Sequence, residues 1–207
     1  MSTSTLDRAS LARQGLRLEY FTIAWNLLEA AVAITSGILA GSISLLGFGI
    51  DSLIEVTSGT AVLWRMAVDA NQEGREVNER RALRVVGACF LGLAIYITYE
   101  CLSDLLARRA PERSIAGVVL ACVSLLVMPP LSRAKKRVGV LLGSAAMHAD
   151  ARQTDFCVYL SGILLAGLLA NAMFGWWWAD PLAGLAMSPI IAREGMLAFK
   201  GKHCESC

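Results

Sequence analysis

The chain has 207 residues, 56% of them apolar and only 17% charged. A soluble domain of this size is less apolar and more charged, so composition points to an integral membrane protein. A net charge of +2, with no basic stretch interleaved with aromatics, argues against nucleic-acid binding. Of the six cysteines, Cys89, Cys101, Cys122 and Cys157 lie inside apolar runs, which excludes the framework of a disulfide-stapled secreted domain.

Residues 1–18 are polar and carry Arg8, Arg13 and Arg17, with no evident cleavable signal peptide. They read as an N-terminal cytoplasmic segment. A span needs about 20 mostly apolar residues. The first two such runs are 20–40 and 43–64. Residues 65–84, with Asp69, Glu73, Glu76 and Glu79 among arginines, read as a solvated charged connector. The third and fourth runs are 85–106 and 115–131. Hydropathy alone starts the fifth at 156 and carries it to 178. Residues 138–147 are also apolar, however, and the reading taken is one long helix over 138–170 with a polar band at 148–155. The last run, 181–199, is interrupted by Arg193 and Glu194, and 201–207 remain as a tail. The predicted fold class is an all-α membrane protein whose transport domain, 19–200, has six transmembrane helices. Fifteen of the nineteen Lys and Arg residues fall on one side of these spans, which places both termini in the cytoplasm.

An ionisable residue inside a span costs about 2.5–3.5 kcal/mol on insertion scales, so it normally faces a cavity or a partner. Asp51 and Glu55 stand four apart on one helix face, shared with Ser44 and Ser58. Two carboxylates so placed repel unless a cation or protons bind between them; the alternative is that each pairs separately, with Arg152 for example. On the fifth helix Asp150, Gln153 and Cys157 share one face and offer oxygen, amide and sulfur donors suited to a soft-to-borderline divalent ion. His148, Arg152 and Asp155 fall on the opposite face and carry both charge signs, as a self-paired network would. Glu19, Thr22, Asn26 and Glu29 form a stripe on the first helix that either lines a hydrophilic path or, through Asn26, glues helices together. Trp176, Trp177 and Trp178 read as an interfacial anchor. The tail offers His203, Cys204 and Cys207, which either capture a metal or form a plain thiol end. No Ser/His or Asp/Asp constellation has a spacing usable for hydrolysis, so no enzyme is expected.

Three segments taken in order resemble the cation diffusion facilitator family. They are Gly41-Ser42-Ile43-Ser44-Leu45-Leu46 through Asp51-Ser52-Leu53-Ile54-Glu55; Ala149-Asp150-Ala151-Arg152-Gln153 followed by Cys157; and Gly175-Trp176-Trp177-Trp178-Ala179-Asp180-Pro181. The resemblance covers roughly residues 15–200. It implies a six-helix exporter of a divalent metal, usually zinc, driven by proton antiport, with no permanently bound cofactor. It also implies a tetrahedral mid-membrane site that maps onto Asp51, Glu55, Gln153 and Cys157. Gln153 replaces the family's usual histidine, Cys157 its usual aspartate, and Glu55 an aspartate. Asp150 is the expected compensating donor, and Cys157 softens the site toward cadmium or cobalt. The chain reads as a short form without the family's C-terminal cytoplasmic domain, so a homodimer would use membrane faces. The expected partners are the divalent ion, protons and the lipid bilayer, and the expected location is a bacterial-type inner (plasma) membrane. The competing expectation is a non-transporting metal sensor or scaffold of the same fold.

Overall fold

A computed structural model describes residues 3–67, 72–109, 112–142 and 145–199. Within them the chain forms six helices: α1 (Thr3–Ala40), α2 (Ile43–Ala67), α3 (Gln72–Ala107), α4 (Ile115–Leu142), α5 (Ala145–Phe174) and α6 (Ala179–Phe199). Four stretches are long and apolar enough to cross a membrane: Ser10–Ala40, Phe90–Ala107, Ile115–Leu142 and Asp150–Phe174. The other two helices, α2 and α6, interrupt their apolar runs with Asp51 and Glu55 and with Arg193 and Glu194.

Helix ends follow local chemistry. Gly41, at a φ of 64°, ends α1, and the Ser42 N–H returns to the Gly37 carbonyl at 3.0 Å. This left-handed closure lets α2 start two residues later. Gly175, at a φ of 66°, ends α5 in the same hand. On either side of it Phe174, Trp176 and Trp178 stack with successive ring centroids 5.0 Å apart, a partly exposed aromatic ledge at the end of the bundle.

Three helix pairs make the most intimate contacts: α1 with α2, α4 with α5, and α3 with α6. The first two pairs join through α1–α4 and α2–α5 into a four-helix group, and α3 and α6 lie against it. Small residues set the spacing. A Cβ at Gly49 of α2 would lie 2.7 Å from Ile34 of α1, and one at Gly87 of α3 would lie 2.6 Å from the Phe199 backbone nitrogen of α6. The burial pattern is that of a chain folded in lipid. Leu39, Ile95, Leu106, Ile115 and Leu126 are each more than 70% exposed, whereas Glu19, Asn26, Glu29 and Lys135 are fully buried. A hydrocarbon solvent removes the penalty on the first group and forces the second inward.

Two expectations from the sequence are corrected. The charged segment 65–84 is not a long connector: α2 continues to Ala67 and α3 begins at Gln72. Its alternating acidic and basic residues support a helix surface outside the lipid as well as they would a loop. The fifth helix does not start at 138, because Val138–Leu142 belongs to α4 and α5 starts at Ala145. Polar residues 10–18 are helical and continuous with α1.

Candidate cation site

The inward faces of α1, α2, α4 and α5 enclose a column of polar side chains. At its middle, Ser52 Oγ of α2 donates to Glu29 Oε2 of α1 at 2.9 Å, and Cys157 Sγ of α5 approaches the same oxygen at 3.8 Å. Asp51 and Glu55 lie within electrostatic range of Cys157. Thr154 Oγ1 donates to Glu55 Oε1 at 2.8 Å. Ser161 Oγ, one turn from Cys157, reaches Ser124 Oγ of α4 at 3.0 Å and the Cys157 carbonyl at 2.8 Å. Helical spacing makes this alignment possible: 150, 154, 157 and 161 fall on one side of α5, and 51, 52 and 55 on one side of α2.

Many acceptors in this column have no hydrogen-bond partner among the described residues. They include Glu29 Oε1, Asp51 Oδ1, Glu55 Oε2 and Asn26 Oδ1, and the donor Gln153 Nε2 is in the same state. Buried polar atoms in a finished core are nearly always paired. A run of unpaired carboxylate oxygens deep in a membrane bundle has the chemistry to take protons or a hydrated cation.

The sequence placed several of these residues correctly on inward faces, but their partners differ from expectation. Asp150 is drawn away from Cys157: its Oδ2 pairs with the Lys135 ammonium of α4, which also contacts Glu19 Oε2 at 3.2 Å. Lys135, which falls between the fourth and fifth apolar runs of the sequence, is 0% exposed on α4. The spacing of Met128, Leu131, Lys135 and Val138, all buried, is a helix-face signal that hydropathy averaging hides. Asp155 does pair, though not with its own helix; it takes the Lys136 ammonium and the Ser132 hydroxyl of α4. Arg152 is exposed, not held inside the bundle. The side chain of His148 and the tail residues His203, Cys204 and Cys207 lie outside the described residues. Among those described, no three His, Cys, Asp or Glu side chains stand close enough together to enclose a metal ion. Asp51, Glu55 and Cys157 are therefore neighbours along a column and do not form a closed cage, and no contact joins Gln153 to them.

Asp180 has a separate role at the opposite end. Ser42 Oγ donates to Asp180 Oδ1 at 2.6 Å, the Ser44 hydroxyl donates to the same oxygen, and the Ser44 N–H faces Oδ2 at 3.5 Å. Ser42 Oγ also accepts from the Leu45 N–H at 3.2 Å, which caps α2. Ser44 thus serves this cap, while Asp51 and Glu55 line the column.

A family model described as the cation efflux transmembrane domain matches residues 20–201. Transmembrane protein 163 of Xenopus laevis is 26% identical over 189 residues, covering 89% of this chain and 66% of that protein. A transporter of Methanocaldococcus jannaschii is 30% identical over 184 residues, covering 83% of this chain and 62% of that protein. The cation-efflux pump FieF of Shewanella oneidensis is 23% identical over 179 residues, covering 84% of this chain and 60% of the pump. The chain thus spans less than two thirds of the length of these relatives. A buried acidic column in a membrane-embedded helix bundle, together with a family match over nearly the whole chain, identifies the protein as a member of the cation efflux, or cation diffusion facilitator, family, whose members are transporters and not enzymes.

Proposed function

We propose that the protein exports a divalent metal cation from the cytoplasm in exchange for protons, with zinc the first candidate and cadmium or cobalt next. The ion is held between α1, α2 and α5 by Asp51, Glu55 and Cys157, and Glu29 or Gln153 completes the set. One observation carries this reading. The carboxylates of Glu29, Asp51 and Glu55 are buried along the same column as the Cys157 thiol, and one oxygen of each has no partner among the described residues. The relatives add support, one of them being named a cation-efflux pump.

The chemistry of the donors supplies the coupling. Carboxylates and thiolate bind metal only when deprotonated, so loading the ion expels protons and protons arriving from the other side expel the ion. The donors are spread along a column in the described state, so binding must draw α1, α2 and α5 together. The soft sulfur of Cys157 extends the range toward cadmium. Both termini lie in the cytoplasm, and the bacterial inner membrane is the expected location.

Purified protein in liposomes, with a pH-sensitive dye inside, tests the proposal across zinc, cadmium and cobalt. Metal flux accompanied by opposite proton flux is expected, and Asp51→Ala abolishes both. Undiminished flux in that variant would refute the site, and metal binding without flux in the unaltered protein would make it a sensor.

A further inference from the structure

The mid-membrane donors leave one buried cluster unused. Lys135 of α4, Glu19 of α1 and Asp150 of α5 are all buried, and the lysine and both acids are 0% exposed at the side chain. The ammonium touches one oxygen of each carboxylate. The other oxygens, Glu19 Oε1 and Asp150 Oδ1, have no partner among the described residues. We propose that Glu19 and Asp150 form an access site for the divalent cation, between the end of the bundle where α1 begins and the mid-membrane donors, and that the Lys135 ammonium fills this site whenever the ion is absent. The proposal rests on the transport reading above for the identity of the ion.

Three features support it. A lysine near the end of a span ordinarily stretches its chain outward to the interface. Lys135 instead turns inward to two acids, so its charge is wanted there. With both acids ionised, one ammonium against two carboxylates leaves a surplus negative charge, and two acceptors have no partner among the described residues. A divalent ion would cancel the charge and use the spare oxygens. The cluster is also continuous with the donors above it: the Thr154 hydroxyl bridges from the Asp150 carbonyl at 3.3 Å to Glu55 Oε1 at 2.8 Å. A flexible lysine can leave and return without moving its helix. The acids are therefore never left bare in the low-dielectric interior, where unpaired charge is most costly.

The test compares initial zinc uptake by the full chain in liposomes. Glu19→Gln removes the surplus charge and keeps the neutral Lys135–Asp150 pair. Its KM for zinc is expected to rise on the order of tenfold, the low end for loss of a group supporting metal ligands, with kcat little changed. Lys135→Met vacates the site for the ion, so KM and kcat should both fall, and adding Asp150→Asn should return KM to the original value or above. A purely structural ion pair would lower yield and unfolding temperature while leaving KM unchanged in the folded fraction; that result overturns the proposal. If Lys135→Met does not fold, the Glu19→Gln KM decides alone. Failure of the transport reading is seen separately, as absent flux in the unaltered protein or undiminished flux in Asp51→Ala. In that event calorimetric titration of zinc into solubilised protein still decides, because an affinity unchanged by Glu19→Gln overturns the access site.

Discussion

The two halves of the bundle solve opposite problems. Between α3 and α6 the contact is close: Gly87 faces the α6 backbone, Gly195 faces Phe90, and the polar groups Thr98 and Ser188 meet at 2.5 Å. Between α1, α2, α4 and α5 the contact is wide enough for five carboxylates and an ammonium, and one oxygen of each carboxylate is unpaired among the described residues. The first interface is built to persist. The second retains unmet hydrogen-bonding capacity, which destabilises a static core and serves a site that must bind and release.

That contrast can be broken experimentally. Asp51→Asn should reduce zinc flux about 100-fold, the upper range for loss of a metal-supporting group. It should leave the unfolding midpoint in detergent unchanged or raised, because a neutral amide of the same shape replaces a buried carboxyl that has an unpartnered oxygen. Simultaneous loss of flux and stability would show that Asp51 belongs to the fold and not to the ion. Gly87→Ala should do the reverse. Its Cβ would meet the Phe199 backbone nitrogen at 2.6 Å and the Gly195 carbonyl at 2.7 Å, so α3 and α6 must separate. Overpacking of this kind costs about 1–3 kcal/mol, read as a lower unfolding midpoint with an unchanged KM for zinc. Cys157→Asp should lower cadmium flux several-fold relative to zinc flux, since a hard oxygen replaces a soft sulfur. Thr98→Val should cost least, about 0.6 kcal/mol as for a typical hydroxyl bond between membrane helices, and should leave transport untouched.

The outline of the fold was legible because lipid imposes a coarse rule: six apolar runs become six helices, with ends near Gly41 and Gly175. What averaging over a window could not read were helices outside the lipid and side chains turned against the trend. Residues 72–84 are charged and helical, because the helix needs no apolar face once it leaves the membrane. Lys135 counted as a loop cation by charge alone, yet its register with Met128 and Leu131 places it inside. For the site, the acidic pair on α2 and the polar face on α5 were visible at helical spacing. The Lys135–Asp150 pairing was not, because it depends on α4 running on to Leu142 beside α5. Glu29 was legible only as one member of a stripe, and its contact with Cys157 spans 128 positions in sequence. No local pattern encodes a meeting of that range.

One consequence of the Asp180 cap concerns leverage. Asp180 sits in the first turn of α6 and closes the start of α2, so a single carboxylate pins the two helices together at the end remote from Glu19. A rod fixed at one tip sweeps widest at the other. Measured from Ile43 at 1.5 Å per residue, Asp51 lies about 12 Å along α2 and Gly59 about 24 Å. Any swing about the serines that shifts Asp51 by a given amount therefore shifts Gly59 by about twice as much. The Gly59–Glu19 contact is the wide-swinging end of such a tilt, and Asp51 the steadier one.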